Sequence, residues 1–145
     1  MALKNVTVKT KMGASGMKIE CSAGNHTLFI DQPASAGGTD AGPTPLEYYE
    51  LSIAGCVSSI ARIAAKQKGI TMRGIEVSVS GDLDTDVLLG KNTAERAGFQ
   101  AFTISVNLDA DLTLEQKREF IEEVERRCPV SENTSNATPV KLILE

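Results

Sequence analysis

The chain opens on period-two alternation. Val6, Val8 and Thr10 alternate with Thr7, Lys9 and Lys11. Met17, Ile19 and Cys21 alternate with Lys18 and Glu20, and Leu28 and Ile30 with Thr27, Phe29 and Asp31. Residues of one kind at every second position line one face of a strand. The intervening "MGASG" and "SAGN" have turn chemistry, so this region predicts a three-stranded meander. "PASAGGTDAGPT", residues 33–44, follows as a loop whose glycines suit close approach of the backbone to a neighbour.

The period then changes. Thr44-Pro45-Leu46-Glu47 carries a capping box, with threonine followed three residues on by glutamate and proline at the first helical position. The spacing predicts a long helix to about Lys68, stopped by Gly69. Its apolar stripe is Ile53, Cys56, Val57, Ile60, Ile63 and Ala64, at three- and four-residue steps. Ala54 and Gly55 precede the cysteine, although glycine weakens a helix interior by about 1 kcal/mol. "GIEVSVSGDL" and "GFQAFTISVNL" read as two further strands joined by the polar connection "DTDVLLGKNTAERA". A second helix starts near Thr113, where Thr113-Leu114-Glu115-Gln116 repeats the capping signature, with an apolar stripe of Leu114, Phe120, Ile121 and Val124. It ends near Cys128, because Pro129 disfavours helix at the residue before it. A polar segment, "SENTSNAT", leads to a last strand, "PVKLIL". The order βββ-α-ββ-α-β is α+β rather than an alternating parallel-sheet fold, and 145 residues suit a single domain over residues 1–145.

Composition narrows the function. A net charge of −4 leaves no basic footprint, so no nucleic-acid partner is expected. No apolar run approaches a membrane span and the N-terminus has no apolar signal core, so the expected location is cytoplasmic, with no membrane partner. Three cysteines in that compartment point to thiols or a reactive pair rather than a disulfide framework.

Two of those cysteines fall on helices that would cover a sheet: Cys56 in mid-helix and Cys128 at the close of the next. Their sulfurs can meet. Spacing alone leaves two readings open, small buried hydrophobes or a reactive pair. Cys21 reads as a strand core residue, and His26 as a turn or surface residue. A zinc site from Cys21, His26, Cys56 and Cys128 has no Cys-x-x-Cys or His-x-x-x-His pair behind it, so neither metal nor cofactor is expected. Phosphate-loop and nucleophile-elbow motifs are missing as well.

"TPLEYYELSIAGCVSSIARIAAKQKGI" resembles the central helix of the OsmC/Ohr family of thiol peroxidases, in which a proline, a nearby glutamate and a cysteine follow one another in this way. "RRCPVSENTSNATPVKLIL" resembles the family's second cysteine motif and closing strand. The resemblance implies an intertwined homodimer and a peroxidatic Cys56 that reduces organic hydroperoxides through a sulfenic acid. It implies Cys128 as the resolving cysteine and a dithiol reductant that resets the pair. It also implies an arginine from the N-terminal sheet region against the thiolate, held by a glutamate after the helix-start proline. This chain departs there. Its first arginine is Arg62, and Leu46 follows Pro45, with Glu47 one place later. Glu47 is therefore both a catalytic candidate and a capping residue. The cation candidates are Lys9, Lys11, Lys18 and Arg96, donated by the partner chain. The other function class consistent with the scaffold is a non-catalytic OsmC-like protein that senses redox state or binds a small apolar ligand.

Overall fold

A computed structural model describes residues 1–145 as two compact units, Met1–Tyr49 and Glu50–Glu145. The first unit holds the meander: β1 (Val8–Met12), β2 (Ile19–Ala23) and β3 (His26–Ile30), antiparallel in the order β1-β2-β3. Cys21 pairs with Thr10 on one side and Leu28 on the other, and is buried. The loop after β3 is built around Asp31, whose side chain accepts from the N–H groups of Gln32 (2.8 Å), Thr39 (3.1 Å) and Ala41 (3.0 Å) and from the Thr39 hydroxyl (2.7 Å). These donors hold its carboxyl well below the usual range, at about 2. The expected close approach occurs here: a Cβ at Gly38 would collide with the Gln32 carbonyl and with Asp31.

Helix α1 (Pro45–Lys68) begins in the first unit and runs through the second. It ends where the glycine signal places it, with Gly69 at φ +67. The second unit continues with β4 (Met72–Asp82), the short α2 (Thr85–Leu88), β5 (Ala101–Ala110), α3 (Leu114–Arg127) and α4 (Pro129–Ser135). Strands β4 and β5 form an antiparallel pair in which Val77 faces Val106 and Val79 faces Ile104. Their core joins Val57, Ala61, Ala64 and Ala65 of α1 to Met72, Leu108 and Ala110 of the strands and to Phe120, Val124 and Cys128.

Five expectations change. The buried arc of α1 is Ile53, Val57, Ala61, Ala64 and Ala65, so Ile63 is 46% exposed. Cys56 and Ile63, two turns apart, lie along one edge of that arc, and the four-residue steps from Ile53 carry its centre onto the alanines. Leu114, the first residue of α3, is 75% exposed, and burial is left to Phe120 and Val124. "DTDVLLGKNTAERA" contains a helical turn, α2, because Asp84 caps it by accepting from the Asp86 N–H at 2.8 Å. "SENTSNAT" is partly helical rather than a plain connection, since Pro129 starts α4. The closing strand over "PVKLIL" does not form within the single chain. Leu142 and Leu144 are 94% and 99% exposed, and a strand exists only where a second strand completes its ladder. No helix is long and apolar enough to cross a membrane.

Candidate functional site

The three cysteines are free thiols. Cys56 is half-buried on α1, and Cys128 is fully buried between α3 and α4. The two thiols are neighbours, and each shifts the titration of the other. What brings them together is the packing of α1 on α3 through Val57, Ala61, Phe120 and Val124. At the surface the two helices are also joined by Lys68–Glu123 at 2.7 Å and by Arg127 donating to Gln67 at 2.8 Å.

The local structure around Cys128 follows from Cys128-Pro129-Val130-Ser131. The residue closes α3, its N–H donating to the Glu125 carbonyl at 3.1 Å. It also caps α4: proline occupies the first helical position, and the Cys128 sulfur accepts from the Ser131 N–H at 3.4 Å. An N-cap side chain ordinarily presents an oxygen to the N–H groups two and three residues on; here a sulfur does so. Burial opposes the charged form of Cys128. It is outweighed by the neighbouring Cys56 thiol and by the N–H groups of Ser131 and Val130, so the Cys128 thiol sits below its ordinary value. Burial pushes the Cys56 thiol up, and the neighbouring Cys128 adds to that.

The other candidates are placed as follows. Glu47 is exposed and accepts from the Thr44 N–H (2.7 Å) and hydroxyl (2.9 Å), while its own N–H donates back to the Thr44 hydroxyl at 3.3 Å. That is a complete capping box. Arg62 donates to the Met72 carbonyl at 2.7 Å. Arg96 donates to the Phe99 carbonyl at 3.3 Å, and Lys18 lies 4.3 Å from the centre of the Phe29 ring. Lys9 and Lys11 are exposed on β1. No group of three or more His, Cys, Asp or Glu side chains is gathered as a metal site would require. Sequence reasoning missed Ser131 and the start of α4; the signal was Pro129 at a helical first position directly after a residue able to cap.

A family model described as OsmC-like protein matches residues 38–143. An OsmC-like protein from Mycoplasma pneumoniae has a similar structure, at 19% identity, covering 91% of this chain and 88% of its own, with a TM-score of 0.78. An organic hydroperoxide resistance protein OsmC from Legionella pneumophila matches at 21% identity over 91% and 90%, TM-score 0.61. The organic hydroperoxide resistance protein OhrB of Bacillus subtilis matches at 25% identity over 92% of each chain, TM-score 0.58. No curated protein matches the sequence.

Proposed function

The chain belongs to the OsmC-like protein family, and on that premise we propose that it reduces organic hydroperoxides through Cys56 and Cys128. The observation that carries this reading is the pair itself: a half-buried thiol on α1 beside a fully buried one at the α3–α4 junction. Two relatives in structure are named organic hydroperoxide resistance proteins.

In the proposed reaction the Cys56 sulfur attacks the terminal oxygen of the hydroperoxide. The S–O bond forms as the O–O bond breaks, and the alkoxide leaves as the alcohol once protonated. Cys128 then attacks the oxidised sulfur; the S–S bond forms, the S–O bond breaks, and hydroxide leaves. A dithiol such as a lipoyl group resets the pair by exchange. The more exposed thiol meets the oxidant, and the enclosed one resolves.

A second reading rests on Arg62. A guanidinium facing the Cys56 sulfur would favour its thiolate, but the first arginine of the chain is bound to the Met72 carbonyl. A protein whose Cys56 stays protonated would switch or bind a small apolar ligand without fast turnover. Stopped-flow oxidation of the reduced protein by an organic hydroperoxide and by hydrogen peroxide, with thiol titration before and after, tests the two. Rapid loss of two thiols per chain, faster with the organic peroxide, supports the peroxidase. Slow loss equal to that of Cys56→Ser supports the switch.

A further inference from the structure

Ser131 carries the one buried side-chain polar atom without a hydrogen-bond partner. The residue is only 9% exposed, so solvent does not satisfy its hydroxyl, and its N–H is already directed at the Cys128 sulfur. Buried hydroxyls are nearly always paired. The sulfur of Cys128, to which the same residue's N–H donates at 3.4 Å, is as a neutral thiol a weak acceptor. A thiolate is a strong one, because hydrogen bonds to a charged acceptor are about twice as strong as neutral ones. The hydroxyl is therefore unsatisfied in one protonation state of the pair and satisfied in the other.

We propose that Ser131 is a positioning residue: its buried hydroxyl donates to the Cys128 sulfur when that sulfur is charged, and holds Cys128 as the thiolate that attacks oxidised Cys56. The inference rests on the reading of Cys128 as the resolving thiol. It also supplies a proton path. In the reduced pair Cys56 keeps its proton and donates it toward the Cys128 sulfur. As Cys56 attacks the peroxide that proton passes to Cys128, and the departing alkoxide takes it as alcohol. Cys128 is thereby left as the thiolate when Cys56 has become a sulfenic acid. The sum is one thiol, one thiolate and one hydroperoxide giving a disulfide, an alcohol and hydroxide.

The test uses the full chain with Cys21→Ser and Cys56→Ser, so that Cys128 is the only thiol, and follows thiolate absorbance in the ultraviolet against pH. Adding Ser131→Ala should raise the Cys128 midpoint by about one unit, a tenfold change in the thiolate-to-thiol ratio at fixed pH. Ser131→Thr, which keeps the hydroxyl, should restore most of it. Alanine favours helix and removes an unpaired hydroxyl, so the variant should melt no lower than its parent. In the chain with all three cysteines, Ser131→Ala should move the pH profile of disulfide formation to higher pH. An unchanged Cys128 midpoint in folded Ser131→Ala overturns the proposal. A shifted midpoint in a protein that consumes no hydroperoxide supports the Ser131–Cys128 bond and defeats the peroxidase reading instead.

Discussion

Glu47 accepts from both the N–H and the hydroxyl of Thr44, at 2.7 and 2.9 Å, so its carboxylate is engaged at the first turn of α1. Thr44→Ala should cost about 1 kcal/mol of stability, as loss of an N-cap does. Glu47→Gln should keep the cap, because Gln116 fills the same place for Thr113 at the start of α3. We expect Glu47→Gln to melt like the parent and to keep its rate of oxidation by hydroperoxide. A variant of unchanged melting temperature that has lost that rate would assign the carboxylate to the chemistry rather than to the cap.

Replacing each cysteine separates their roles. Cys56→Ser should abolish peroxide consumption. Cys128→Ser should allow one turnover and leave a sulfenic acid that dimedone traps, detected by mass spectrometry. Cys21→Ser should leave consumption unchanged. Disulfide formation persisting in Cys128→Ser would show Cys21 to be the resolving thiol.

The core and its edge should differ sharply. Phe120 is 5% exposed within the core of the second unit, and Phe120→Ala should cost about 3–5 kcal/mol. Leu114, at 75% exposure, should cost little when changed to alanine. Denaturant midpoints of the two variants provide the comparison.

Asp31 sets a pH dependence. Its folded pKa of about 2 lies below the ordinary 3.8, so its stabilising contribution is fully present above about 4 and is lost as pH falls from there through about 2. Melting temperature in wild type should therefore fall in that window. Asp31→Asn, which has no charge to lose, should melt lower at neutral pH and vary less across it. Parallel curves for the two proteins would assign the acid transition to other carboxylates.

We expect a two-fold dimer burying more than about 2,000 Å². The exposed Val140, Leu142 and Leu144 then become strand residues against the partner. Sedimentation at micromolar concentration should find no monomer; a stable monomer would show that the cation facing Cys56 is not borrowed from a second chain.

The long elements were legible because each carried two agreeing signals. Both ends of α1 were marked, by Thr44-Pro45-Leu46-Glu47 and by Gly69, and α3 began at its Thr113–Gln116 capping box. Errors arose where one residue serves two neighbours. Cys128 closes α3 and caps α4, so Pro129, read as a stop, is also a start. Ile63 fits the apolar periodicity of α1, yet the packing of that helix turns Ala61 inward in its place. The Cys56–Cys128 pairing followed from resemblance, because spacing alone does not distinguish two buried thiols from a couple. Ser131 was hidden because what sets it apart is a buried hydroxyl without a partner, which no sequence pattern encodes.

The bond from Arg62 to Met72 spans ten residues, whereas Cys56 and Cys128 lie on opposite sides of the β4–β5 pair in chain order. The entropy of closing a loop grows with its length, so an incomplete or loosened chain can make the first contact and still lack the second. The sulfur couple therefore closes much the longer of the two loops. On the peroxidase proposal, the resolving step needs α3 docked on α1, whereas the attack by Cys56 does not. The rate of disulfide formation, rather than of Cys56 oxidation, would then report how much of the population has α3 docked on α1.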